Sequence, residues 1–126
     1  MKKTLMLLLA VMCLTACGQP NERKTVCRNI TAEDAKQIMD TEKDYILLDV
    51  RTQEEYDEKH IPGAVLIPNT EIAELAETVM PDKDQLILVY CRSGRRSKLA
   101  AEALAELGYT NIREFGGIVD WPYEVE

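Results

Sequence analysis

The segment of this chain best equipped for chemistry is Cys91-Arg92-Ser93-Gly94-Arg95-Arg96-Ser97. A thiol, three guanidinium groups, two hydroxyls and a glycine fall between the apolar run QLILVY and an alanine- and leucine-rich stretch. A loop leading from a strand into a helix turns several backbone N–H groups toward one point, and the helix dipole adds partial positive charge there. A cysteine held in such a cradle ionises more easily than a free thiol, and Arg95 and Arg96 push the same way. Gly94 permits the backbone turn that a tight loop needs. A thiolate inside an anion cradle suits two reactions. One is attack on a phosphate ester; the other is attack on a sulfur atom that carries an anionic leaving group.

Spacing bears on that choice. Cysteine phosphatases share the pattern C-x5-R, in which the arginine forks onto the phosphate. Counted from Cys91 that position is 97, and residue 97 is serine. The arginine that would close the loop is Arg96, one residue earlier. A shorter loop makes a smaller cradle, better matched to one added sulfur than to a tetrahedral phosphate.

Alternating strands and helices must position this loop. Thr31 reads as the N-cap of a helix reaching about Met39, with acids in its first turn. YILLDV, residues 45–50, is an apolar run of strand length. Thr52-Gln53-Glu54-Glu55 is a capping box that opens a short helix. AVLI at 64–67 is a second strand, and apolar residues at 72, 75, 76 and 79 form a helical stripe that Pro81 ends. QLILVY, residues 85–90, is a third strand. Residues 98–107 form a helix stopped by Gly108. Residues 111–115 form a fourth strand, which Gly116-Gly117 break. Continuously apolar strands between helices predict an α/β fold: a small, mostly parallel sheet of about four to five strands, flanked by helices. In such sheets ligands bind beyond the carboxyl ends of strands, where Cys91 stands.

The 126 residues suit one domain, and 46% of them are apolar. The first sixteen fall outside it. MKKT and the run LMLLLAVMCLTA have the shape of an export signal, too short to span a bilayer comfortably. Leu14-Thr15-Ala16-Cys17 resembles a bacterial lipobox, so Cys17 is the expected lipidation site and its acyl chains the membrane anchor. Residues 17–29 then read as the lipidated cysteine and a polar tether, and residues 30–126 as the folded domain. The protein is thus expected to be exported and held in the bacterial cell envelope. Removing Lys2 and Lys3 with the signal makes the formal charge of −7 two units more negative. An acidic surface of this kind argues against nucleic acid as a partner. Against it, the arginines beside Cys91 point to a small anionic ligand. One histidine and no CxxC leave little from which to build a metal site. Cys27 reads as an incidental tether residue, with a disulfide to Cys91 as the alternative.

LLDVRTQEEYDEKHIPGAVLIP holds a second pattern: Tyr56, three residues, then His60-Ile61-Pro62-Gly63-Ala64. With the loop from Cys91 to Arg96, and with Gly116, Gly117 and Trp121, it makes the chain resemble a single-domain member of the rhodanese family of sulfurtransferases, from Ile30 to about Trp121. The resemblance implies that Cys91 takes sulfane sulfur from an anionic donor such as thiosulfate, releases sulfite, and passes the persulfide to cyanide or a thiol. It implies that Arg95 and Arg96, with Arg92 less directly, hold the anion, and that the amides of Arg92, Ser93, Gly94, Arg95, Arg96 and Ser97 cradle the persulfide. Neither a metal nor an organic cofactor is needed, and a monomer is the expected state. His60 is tempting as a general base, yet the motif that holds it is structural in the family. Asp49 and Arg51 read as fold-holding residues, with Glu55 a candidate partner of Arg51, and Trp121 as core. A non-catalytic persulfide carrier, and a small cysteine phosphatase or arsenate-reductase-like enzyme, are the alternatives.

Overall fold

The computed structural model describes residues 26–126. The expected export signal, the expected lipidation site Cys17 and the part of the expected tether before Val26 lie outside the described residues. Five strands, β1 (Cys27–Asn29), β2 (Tyr45–Asp49), β3 (Val65–Leu66), β4 (Leu86–Cys91) and β5 (Ile112–Gly117), form one sheet in the order β1-β5-β4-β2-β3. Every neighbouring pair runs parallel. Four helices cover it: α1 (Ala32–Thr41), α2 (Gln53–Glu58), α3 (Ile72–Val79) and α4 (Arg95–Glu106). This is the α/β architecture that the apolar strands predict.

Both faces of the sheet are buried, which is why its central strands are continuously apolar. Leu48, Ile87, Val89, Cys91 and Ile112 pack on one face with Ile72 and Ala76 of α3 and Ala100, Ala101 and Leu104 of α4. Leu47, Leu88, Tyr90 and Phe115 pack on the other with Ala35 of α1, Ile61, Ile118 and Trp121. Adjacent residues of one strand therefore serve different cores, as the two-residue period of a strand requires. Thr31 and Thr52 each close a capping box, with Asp34 and Glu55 respectively.

Three expectations about the elements are corrected. Cys27, Arg28 and Asn29, assigned to the tether, form β1, paired in register with Ile112, Arg113 and Glu114. The segment is polar because it is an edge strand with Arg28 and Asn29 exposed, so apolar content does not reveal it. α4 starts at Arg95 rather than 98, because Gly94 takes a left-handed conformation (φ 110°) as its N-cap and puts Ser97 inside the first turn. Gly116 and Gly117 do not break β5. Val89 faces Glu114 while Cys91 faces Gly117, so β5 carries one extra residue in a bulge at Gly116, whose φ is 84°.

A buried polar network ties the crossover after β2 to β4. Arg51 donates from Nε and Nη2 to the Asp49 carboxylate at 2.7–3.1 Å, and from Nη2 to the Lys59 carbonyl at 2.7 Å. The partner of Arg51 is thus Asp49, two residues away on the same chain segment, and not Glu55. The Tyr90 hydroxyl donates to Asp49 Oδ2 at 2.7 Å and accepts from the Ile61 N–H at 3.1 Å. Its pKa is raised, chiefly by burial and then by the bond to Asp49, so the phenol stays protonated and remains a donor. Tyr90→Phe leaves Asp49 and Ile61 each short of a buried partner, and is expected to cost about 1–3 kcal/mol in urea denaturation.

Candidate active site

Cys91 is the last residue of β4, and its side chain is almost wholly enclosed, at 1% exposure. The chain after it curls back over the sulfur. The Gly94 N–H points at Cys91 Sγ from 2.9 Å, and Ser97 Oγ lies 3.5 Å away in the first turn of α4. Burial of the sulfur raises the thiol pKa; the Ser97 hydroxyl and the amides of Ser97, Gly94 and Ser93 outweigh it, leaving the thiol below its ordinary value. The cradle is therefore made largely of backbone, and its shape depends on glycine. A Cβ at Gly117 would overlap the Arg92 carbonyl and the Ser93 nitrogen, so only glycine lets β5 pass beneath the loop. The Arg92 carbonyl instead accepts from the Val119 N–H at 3.2 Å.

The three arginines are placed differently. Arg92 and Arg95 are exposed at the rim of the loop, and among the described residues neither makes an ion pair. Arg96 forks onto Glu55 of α2, with Nη1 and Nη2 donating at 2.6 and 2.9 Å. An arginine at a helix start opposes the dipole and calls for a nearby anion; for Arg96 that anion is an internal carboxylate. Glu55 is brought down to about 2, first by Arg96, against the opposing effect of partial burial and with help from Thr52.

His60 makes none of these contacts. Its ring stacks flat on Tyr56 with centroids 3.9 Å apart, Nδ1 meets the Tyr56 carbonyl at 2.9 Å, and Nε2 meets Glu126 at 3.1 Å. Together with paired backbone bonds between His60 and Glu126, this fastens the C-terminal segment. Asp49 and Arg51 engage each other and Tyr90 rather than the loop. Trp121 packs on Phe115. Cys27 and Cys91 are both free thiols. Cys27 donates to the Ala101 carbonyl at 3.3 Å, and its pKa is raised by burial and then by Glu102. Among the described residues no cluster of His, Cys, Asp and Glu is arranged to hold a metal.

Sequence reasoning missed Glu114, which is 3% exposed directly behind the loop. Its Oε1 accepts from the Ser97 hydroxyl at 2.6 Å and the Gly116 N–H at 2.8 Å, and its Oε2 from the Asn29 amide at 2.6 Å. A glutamate in an otherwise buried strand, two residues before a glycine pair, was the available signal.

The model for the rhodanese-like domain matches residues 31–123. The chain belongs to this family. Thiosulfate sulfurtransferase PspE of Escherichia coli is 44% identical over 73 residues, covering 58% of this chain and 70% of that protein. The putative sulfur carrier protein YrkF of Bacillus subtilis is 35% identical over 107 residues, covering 84% of this chain but 57% of that relative. Among solved structures, a rhodanese with anions from Escherichia coli superposes with a TM-score of 0.61 at 39% identity, over 65% of this chain and 96% of the other. The rhodanese-like chain is thus similar to a sulfurtransferase close to it in size, and it spans a little over half the length of the sulfur carrier relative.

The two free thiols of the rhodanese-like domain should titrate apart. Thiolate absorbance in the ultraviolet, measured on Cys27→Ser and Cys91→Ser variants, is expected to show Cys91 ionising at lower pH than an ordinary thiol and Cys27 at higher pH. Coincident titrations would contradict the cradle. Arg96→Gln is expected to cost on the order of 1 kcal/mol at neutral pH, read by urea denaturation. Glu55 has a folded pKa below its ordinary 4.5, so its contribution is present above pH 4.5 and fades as pH falls toward about 2. The difference between wild type and variant should shrink over that window.

Proposed function

We propose that this protein is a sulfurtransferase that moves sulfane sulfur from a thiosulfate-like donor, through a persulfide on Cys91, to a thiophilic acceptor such as cyanide or a thiol. The observation that carries this reading is the cradle itself: a buried thiol of lowered pKa, faced by loop amides. The Cys91 thiolate attacks the outer sulfur of the donor; the new S–S bond forms as the old one breaks, and sulfite leaves with the electron pair. The persulfide anion then sits among N–H donors pointing at the place where charge develops. The acceptor attacks its terminal sulfur and returns Cys91 to the thiolate. Of the arginines, Arg92 and Arg95 have uncommitted charge for an anionic donor, whereas Arg96 must leave Glu55 or act while paired with it. The relative named a thiosulfate sulfurtransferase supports the donor class.

The relative named a putative sulfur carrier supports a second reading, in which Cys91 receives sulfur from a protein donor and hands it on. We further propose, from the lipobox-like end of the N-terminal run, that Cys17 is lipidated and the domain acts as a monomer on a cell-envelope membrane.

One experiment separates the readings. A version starting at Gly18 is reduced, incubated with thiosulfate, and followed by intact mass and by sulfite release. The wild type is expected to gain one sulfur atom, Cys91→Ser none, and cyanide to remove it as thiocyanate. If neither sulfur nor sulfite appears, thiosulfate chemistry is wrong and the carrier reading takes its place.

A further inference from the structure

Ser97 has one hydroxyl hydrogen and too many claimants for it. Its Oγ lies 2.6 Å from Glu114 Oε1, 2.9 Å from the Gly94 carbonyl, 3.3 Å from the Gly116 carbonyl and 3.5 Å from Cys91 Sγ. The shortest contact is to Glu114. Through this hydroxyl, sulfur and carboxylate stand within about 6 Å of each other, in a setting where two like charges are disfavoured. Among the described residues no cation pairs with Glu114. The charged groups nearby are the Arg96–Glu55 pair, Arg92 and Arg95 at the rim, Lys98 on α4, and Arg28 and Arg113 on β1 and β5, in register with each other. Every donor that Glu114 has is neutral: Ser97, Gly116 and Asn29.

We propose that Glu114 is the proton partner of Cys91, and that the two share one proton through the Ser97 hydroxyl. In one arrangement Cys91 is a thiol donating to Ser97 Oγ, Ser97 donates to Glu114, and the carboxylate is held by Gly116 and Asn29. In the other, the sulfur proton has moved to Ser97, the Ser97 proton has moved to Glu114, and the thiolate is held by the loop amides. No proton enters or leaves the protein, and nothing is oxidised or reduced. Each anion has its own donors, so the site carries one negative charge in both. Glu114 touches neither donor nor acceptor; it is a positioning residue that sets how much of Cys91 is thiolate. Asn29, from the edge strand β1, is the outermost member of the chain.

This rests on Cys91 being the nucleophile of the proposed reaction, but its test reads protonation and not sulfur transfer, so the two can fail separately. The full chain, 13C-labelled at cysteine Cβ and glutamate carboxyl carbons, is titrated by NMR, with Cys91→Ser and Glu114→Gln identifying the two signals. Two groups sharing a proton titrate as a pair. In the wild type both carbons are expected to report the same two midpoints, and the Glu114→Gln variant to show one Cys91 midpoint, at least about one pH unit below the upper one. A structural role alone would leave each carbon with its own single midpoint and Cys91 unmoved, which overturns the proposal. In a Ser97→Ala background the Glu114→Gln shift should largely vanish; an undiminished shift overturns the relay through the hydroxyl. Should Glu114→Gln fail to fold, the wild-type Cys91 carbon, identified by Cys91→Ser, decides alone: two midpoints support the sharing, a single one ends it.

Discussion

The Arg92 carbonyl occupies the space where residue 117 would carry a side chain, and the rest of the site follows from that close approach. With no Cβ at Gly117, the chain after Cys91 can fold down onto β5 instead of standing clear of the sheet. Its amides then turn inward over the sulfur. The bulge at Gly116 makes the approach possible by adding a residue to β5 just where the strand must bend beneath the loop. A cradle of backbone N–H groups has no rotamers to freeze and no side-chain charge to neutralise, so it can hold an anion close to a buried sulfur at little entropic cost.

The surroundings of the loop are fastened by polar groups whose demands are met locally. Every buried side-chain nitrogen and oxygen among the described residues has a hydrogen-bond partner. Asp49, Arg51 and Tyr90 satisfy one another beneath the crossover from β2, and Glu114, Ser97 and Asn29 do so behind the loop. The two networks differ in kind. The first contains an ion pair and leaves no group in competition. The second holds an acid next to a thiol with one hydroxyl between them.

Much of this protein was legible because several signals coincide along the chain. The apolar strands, the N-cap at Thr31, the capping box at Thr52 and the glycine before α4 each have a local cause, so local reasoning finds them. Cys91 was legible for the same reason: strand end, glycine and helix start are neighbours in sequence. β1 was not, because a three-residue polar edge strand has neither period nor hydrophobicity to show. Nor was the bulge in β5, since a glycine pair reads equally well as a strand's end. The partners of the charged residues were misjudged where they lie far apart in sequence. Arg96 and Glu55 are 41 positions apart, and the capping box at Thr52 had already accounted for Glu55.

The sequence by itself determined the class of fold, the order of the elements from α1 onward and the loop in which Cys91 stands. These depend on hydrophobic period, cap chemistry and residues a few positions apart. Only the tertiary structure decided which arginine is taken up in an ion pair, which glycine makes room for the loop, and which acid stands behind the sulfur. Those outcomes depend on strand register, and register is set by packing across the sheet. One extra residue at Gly116 brings Gly117 opposite Cys91, and no count along the chain announces it.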